Sequence, residues 1–195
     1  MIKKYEMNRI VMNSLFALAM MFLFKPCVAS VTTDDKSGWF TTFRQRVVST
    51  WNSDGLDIHL PTYTWHNRLA YDERISRYNE FTWGAGLGRS VIDENDNEHA
   101  LYAFGFADSN NKFQPIVGYI FMKNNYPLKS QDFVLGYGYT LGFTGRYEYL
   151  YIPIPVPLPI FCVGYKSLTL RATYLPGPKN DFNVLFCWFV IRHIF

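Results

Sequence analysis

No stretch of this 195-residue chain stays apolar for the ~20 residues that a membrane-spanning helix needs, and the longest, residues 10–24, is weakened by Asn13 and Ser14. Charge is also scarce. Asp, Glu, Lys and Arg make up 18% of the residues and the formal net charge is only +3. Basic residues are scattered among acidic ones, so the chain lacks the electrostatic footprint of a nucleic-acid-binding protein. The four His residues have no metal-ligand spacing, and neither a metal nor an organic cofactor is expected. What the chain has in excess is rings, at 18% of all residues.

Lys3, Lys4 and Arg9 precede the short apolar stretch, and Pro26, Ala29 and Ser30 follow it. That order reads as a secretory signal peptide, residues 1–30, cut after Ala29 or Ser30. Phe24, Lys25 and Pro26 before Cys27 are not the small apolar approach of a lipoprotein signal. Cys162 and Cys187 remain in an exported chain, where a pair could cross-link, although Cys187 sits in a strand pattern and buried Cys is commonly free.

Residues 31–57 read as a linker and an amphipathic helix. Ser37 offers an N-cap, and Trp39, Phe40, Phe43, Val47, Val48 and Trp51 recur at helical spacing opposite Arg44, Gln45 and Arg46. Two Trp on the apolar stripe and Arg on the polar face suit a helix lying along a membrane interface.

From residue 58 to 195 short alternating runs are separated by turn clusters such as residues 93–97 and 109–111. Eight strands are predicted, at 60–71, 80–92, 98–107, 113–122, 132–143, 145–153, 163–175 and 183–195. In the fifth, Phe133, Leu135, Tyr137, Tyr139, Leu141 and Phe143 share one face, and Val134, Gly136, Gly138, Thr140 and Gly142 the other. In the second, Phe81, Trp83, Ala85 and Leu87 oppose Thr82, Gly84, Gly86 and Gly88.

Hydrocarbon supplies no hydrogen-bond partners, so strands that cross it must close on themselves with large apolar residues outward. The expected fold is therefore all-β, an eight-stranded antiparallel transmembrane β-barrel with an N-terminal interfacial helix. The terminal aromatic Phe195 suits an outer-membrane barrel. Apolar residues on both faces of the last strand and the inward glycines predict an apolar lumen that something approaches closely, with a hydrocarbon ligand as the candidate.

Pro153, Pro155, Pro157 and Pro159 crowd the predicted link between strands six and seven, Pro61 lies in strand one, and Pro176 ends strand seven. Such breaks in pairing make either a lateral gap or a rigid surface turn. For chemistry the candidates are His66, Asp108 and Ser109, a base, a carboxylate and a hydroxyl suited to acyl transfer. The bland alternatives are an interfacial His and an ordinary turn, Asp108-Ser109-Asn110-Asn111.

The runs Thr64-Trp65-His66, Arg77-Tyr78-Asn79-Glu80, Phe106-Ala107-Asp108-Ser109, Tyr151-Ile152-Pro153 and Thr173-Tyr174-Leu175-Pro176-Gly177 occur in this order along nearly the whole mature chain. Together with Thr41-Thr42-Phe43-Arg44 and Trp51, they resemble the lipid A palmitoyltransferase family, PagP. The resemblance implies an enzyme of the Gram-negative outer membrane with its active site toward the cell exterior. It moves an acyl chain, usually palmitate, from the sn-1 position of a phospholipid donor to a hydroxyacyl chain of the lipid A acceptor.

It further implies His66 as general base, Asp108 orienting or charging it, and Ser109 as nucleophile or positioning hydroxyl, with direct transfer equally open. Lateral gates are expected at Pro61, Pro159 and Pro176, while Thr82 stands where the family has a fourth gate proline. An acyl-chain pocket floor is expected at Ile116, Gly118 and Ile120, and Ile120 replaces a family glycine, which predicts a shorter or shifted chain preference. A non-enzymatic barrel with a structural or lipid-binding role is the alternative, and oligomeric state, homodimer included, stays open.

Overall fold

The computed structural model describes residues 38–71, 77–128, 132–179 and 182–192. The expected signal peptide, Ser37 and Phe195 lie outside them. A helix, α1 (Trp39–Trp51), precedes eight strands: β1 (Asp57–His66), β2 (Gly84–Ile92), β3 (Asn97–Ala107), β4 (Phe113–Asn125), β5 (Phe133–Thr144), β6 (Ile154–Tyr165), β7 (Leu168–Leu175) and β8 (Val184–Ile191). Each strand pairs antiparallel with the next, and β1 pairs with β8 to close the barrel. The alternation sorts as expected. Leu135, Tyr137, Tyr139, Leu141 and Phe143 of β5 are exposed on the outside, while Val134, Gly136, Thr140 and Gly142 are buried.

α1 lies outside the barrel. Its Phe43 meets Tyr119 edge-on at 5.1 Å, and Trp51 packs with Leu56, Leu87, Leu101, Ala103 and Val117. Arg46 reaches Glu94 at 2.6 Å in the turn between β2 and β3, whereas Trp39 and Phe40 stay exposed. The helix therefore marks the end of the barrel where β1 and β3 begin.

Strand six is displaced from its predicted place. Residues 145–153 form a loop with a 3-10 turn at Tyr147–Tyr149, and β6 runs straight through Pro155, Pro157 and Pro159. The reason lies in the pleat. The Pro159 carbonyl accepts a hydrogen bond from Thr173 Oγ1 of β7 at 2.6 Å, so its backbone groups face β7. Pro155 and Pro157, at the same parity, face that edge too, and no donor toward β5 is lost. Full pairing with β5 follows, from Phe133↔Tyr165 to Thr144↔Ile154. The predicted seventh strand loses its first residues to β6, and β1 stops at His66 because Asn67 turns the chain, accepting from the Leu69 and Ala70 N–H groups.

The lumen is not apolar throughout, contrary to expectation. Toward the α1 end, Glu98 of β3 accepts from both Arg171 of β7 and Arg192 just past β8, and Ser90 donates to Asp57 at 2.6 Å. These charges come from strands distant in sequence, so their compensation was invisible in any one segment. Nor do the inward glycines leave open space. A Cβ on Gly118 would lie 2.7 Å from the Tyr102 hydroxyl, and one on Gly136 2.6 Å from Met122 Sδ, so the protein's own side chains fill the room. Cys162 and Cys187 are free thiols on the non-adjacent strands β6 and β8.

Breaking a buried ion cluster by removing one partner leaves uncompensated charge, at a cost of about 3–5 kcal/mol, while apolar replacement of the whole set is often neutral. Glu98→Ala should therefore lower the stability of the detergent-folded barrel by about that amount. Replacing Glu98, Arg171 and Arg192 together by Leu and Met should restore most of it. Thermal unfolding followed by the loss of the folded electrophoretic form measures both.

Candidate active site

His66 closes β1 and Asp108 follows the last residue of β3, so antiparallel topology delivers both to the end of the barrel opposite α1. His66 is 3% exposed, stacked flat on Tyr78 with ring centroids 4.9 Å apart and met edge-on by Tyr71 at 5.3 Å. The carboxylate that reaches it is Glu80. Glu80 Oε1 accepts the His66 backbone N–H at 3.0 Å and lies 3.3 Å from Nδ1, while Oε2 accepts from Arg68 at 2.7 Å and from the Tyr63 hydroxyl at 2.9 Å.

Burial alone would raise the Glu80 carboxyl, but the His66 N–H, the Arg68 guanidinium and the Tyr63 hydroxyl outweigh it and push it down to about 2. An ionised carboxylate can only accept, so Nδ1 carries the imidazole proton and Nε2 keeps a free lone pair.

Asp108 is spent differently. Its Oδ1 accepts the N–H groups of Asn110 at 2.9 Å and Lys112 at 2.7 Å, shaping the turn in which Asn111 takes a φ of 56°. Ser109 rides on that turn, and its carbonyl accepts the Asn79 N–H at 2.9 Å. Asn79 Nδ2 also donates to Asn111 at 2.8 Å, so the loop carrying Glu80 is docked on the turn carrying Ser109.

His66, Asp108 and Ser109 line one cavity of about 160 Å³, with Arg146 and Gln114 beside them and Ile116, Val156, Leu158, Leu175, Phe106 and Phe186 as its apolar part. A polar mouth over an apolar well fits a fatty acyl ester. Ile116 belongs to the wall, whereas Gly118 and Ile120 lie deeper in the barrel and do not line the cavity. Sequence reasoning gave no role to Glu80, Tyr78 or Arg146. The polar run Arg77-Tyr78-Asn79-Glu80 was the available signal, hidden because residue 80 was assigned to the start of a strand.

Two seams flank this end of the barrel. β1 and β2 pair only from Asp57↔Gly88 to His59↔Gly86, with one further bridge at Tyr63↔Phe81. β6 and β7 pair only from Ile160↔Thr173 to Tyr165↔Leu168. Pro61 lies on the first seam and Pro159 at the margin of the second, with Pro176 just past the end of β7. Thr82 is fully buried, and the Thr64 hydroxyl donates to its Oγ1 at 3.4 Å across the first seam.

A family described as "Antimicrobial peptide resistance and lipid A acylation protein PagP" matches residues 46–190. The chain is similar to "Lipid A acyltransferase PagP" of Pantoea ananatis (strain LMG 20103), 45% identical over 186 residues that cover 93% of this chain and 97% of that protein. A protein of the same name from Proteus mirabilis (strain HI4320) is 46% identical over 84% of this chain and 79% of its own length. "Lipid A palmitoyltransferase PagP" of Escherichia coli O157:H7 is 48% identical over 77% of this chain and 82% of its own.

The depressed Glu80 carboxyl fixes a pH dependence. Its stabilising contribution is fully present above the ordinary Glu value of ~4.5 and is lost as pH falls through about 2. Between those limits wild-type stability should fall with pH, and Glu80→Gln, lacking that titration, should show a flatter profile from a lower starting point. Denaturant unfolding of the detergent-folded protein across this range reads the difference.

Proposed function

The chain belongs to the PagP family, and on that premise we propose that it transfers a fatty acyl chain from the sn-1 position of a phospholipid to a hydroxyacyl chain of lipid A in the outer membrane. The observation that carries the reading is the convergence of His66, Asp108 and Ser109 on a single cavity whose deeper wall is apolar.

Catalysis begins with the donor's acyl chain in the apolar well and its ester at the mouth. Glu80 holds the Nδ1 proton, so His66 Nε2 is the base. It accepts the proton of the lipid A hydroxyl as that oxygen attacks the ester carbonyl, and it returns the proton to the lysophospholipid oxygen as the old ester bond breaks. Asp108 builds the turn that positions Ser109, whose hydroxyl orients the reacting groups. No hydrogen bond joins Ser109 to His66 among the described residues, and the direct transfer written here needs none.

The donor reaches the well sideways, through the seams at Pro61 and at Pro159 with Pro176, since a chain already in the membrane need not leave it to enter there. Thr82 narrows the first passage by its bond to Thr64. The mouth faces the cell exterior. Longer connections at the His66 end, residues 67–83 and 145–153, against short turns such as 93–96 and 166–167 at the α1 end support this orientation. Ile116 flanks the acyl chain, with Gly118 and Ile120 on the strand below.

Incubating the purified barrel with a phospholipid of defined chains and lipid A, then weighing the products, tests the reaction. Lipid A should gain one acyl mass, and His66→Ala should slow that gain by about 10²–10⁴-fold. Ser109→Ala should retain measurable transfer if transfer is direct. Lipid A that never gains mass with wild-type protein would sink the enzyme reading in favour of a lipid-binding barrel.

A further inference from the structure

Resting on the acyl-transfer reading, we propose that Arg146 is a phosphate-binding residue, which anchors the donor phospholipid by its phosphate so that the sn-1 ester lies against His66. Among the described residues that line the cavity of His66, Asp108 and Ser109, Arg146 is the only arginine or lysine, and its side chain is 24% exposed. One edge and one face of the guanidinium are occupied. Nε lies 3.4 Å from Glu148 Oε2, and the plane rests over the Phe182 ring, 5.7 Å from its centroid. Nη1 and Nη2 make no hydrogen bond among the described residues. A planar fork with both terminal nitrogens open is the geometry that grips two oxygens of one phosphate.

The fork is held in a fixed relation to the base. The Tyr71 hydroxyl donates to the carbonyl of Phe182 at 2.5 Å, and the Tyr71 ring meets His66 edge-on at 5.3 Å. Contacts through Phe182 and Tyr71 thus join the cation to the imidazole. The Arg146 carbonyl accepts the N–H groups of Tyr149 at 3.1 Å and Tyr151 at 2.9 Å, which ties down the loop of residues 145–153. Lys112 brings a second cation to this rim, its ammonium 5.6 Å from the ring centroid of Tyr147, the residue after Arg146. The Asp108 carboxylate shares the cavity, but its Oδ1 is covered by the Asn110 and Lys112 N–H groups.

In a glycerophospholipid the sn-1 ester and the phosphate hang from the two ends of one glycerol unit. A donor with its acyl chain in the apolar well and its ester at His66 therefore carries its phosphate to the rim. Arg146 is the cation that waits there.

The test compares two donors that present the same sn-1 ester. Wild-type protein folded in detergent receives lipid A and either phosphatidylcholine or diacylglycerol with identical acyl chains, and the acylated lipid A is weighed. Phosphatidylcholine should be preferred in kcat/KM by about 10–100-fold, the scale of hydrogen bonds to a charged group. Arg146→Met should bring the ratio close to one through a higher KM for phosphatidylcholine, because the phosphate is bound alike before and during transfer. Arg146→Lys should restore part of the preference, as a point charge without the fork.

The ratio is taken within each variant, so a general loss of base alignment cancels, and electrophoretic mobility confirms folding. Should Arg146→Met fail to fold, the ratio of Arg146→Lys decides. A wild-type ratio near one, or a ratio that neither folded variant lowers, overturns the inference while leaving acyl transfer intact. If Arg146→Met instead erases a preference for phosphorylated over dephosphorylated lipid A and leaves the donor ratio alone, the phosphate held is the acceptor's and the donor assignment falls. A wild-type protein that acylates lipid A from neither donor overturns the acyl-transfer reading and this inference with it.

Discussion

Every feature of this molecule answers to one constraint, that a peptide group in hydrocarbon must find its hydrogen-bond partner in the chain itself. Eight strands closed by β1 on β8 meet it almost everywhere. The two seams are therefore informative, because unpaired backbone at membrane depth costs free energy unless something removes the need for pairing. In β6 proline does so. Pro155, Pro157 and Pro159 have no N–H to satisfy, and they face the edge where β7 is missing, so the ladder stops there with no stranded donors. Across the other seam Thr64 and Thr82 supply a side-chain bond where the ladder stops. A ladder can stop at membrane depth at little cost where the sequence has deleted or rerouted the groups that would be orphaned.

The same closure forces a choice on the interior. An eight-stranded barrel is barely wide enough for its own side chains, so a ligand well exists only where the chain withholds bulk. At the mouth, Ile116, Val156 and Leu158 leave a well of about 160 Å³. Below it, Tyr102, Phe104, Phe106 and Phe186 occupy space that inward glycines would otherwise have left, and below those a buried ion cluster takes over. The order runs from polar mouth through apolar well and aromatic layer to charges. The cavity lies at one end, and the ion cluster and α1 lie at the other.

Much of this was legible in the sequence, and the failures have a common cause. Period-two alternation identified the strands of β5 and β2 and their outward rings, because one residue on a pleated strand suffices to assign a face. The proline-rich segment was misread because each proline is individually a strand breaker, and only their shared parity, with the identity of the neighbouring edge, makes them compatible with β6. The inward glycines correctly signalled close approach, but nothing local said that the approaching groups were Tyr102 and Met122 and not a ligand. Glu98, Arg171 and Arg192 cancel one another only after β3, β7 and β8 have been brought together. Local pattern reveals faces; it does not reveal what lies across the lumen.

The site shows the same limit in its chemistry. His66, Asp108 and Ser109 were found by residue type and resemblance, and their arrival at one cavity follows from strands that run in opposite directions and end together. The carboxylate that reaches the imidazole, however, is that of Glu80, fourteen positions after His66 in a loop that folds back over it. Asp108 commits its Oδ1 to the Asn110 and Lys112 N–H groups of its own turn. Glu80 is tied by Arg68 and Tyr63 as well as by the His66 backbone, so it is fixed in place and fixed in charge. A carboxylate that stays ionised to about pH 2 sets the tautomer of His66 and leaves Nε2 with its lone pair above the imidazole's own titration. With His66 held by the loop, the turn of Asp108 carries Ser109, and docking through Asn79 joins the two separately built halves around one cavity.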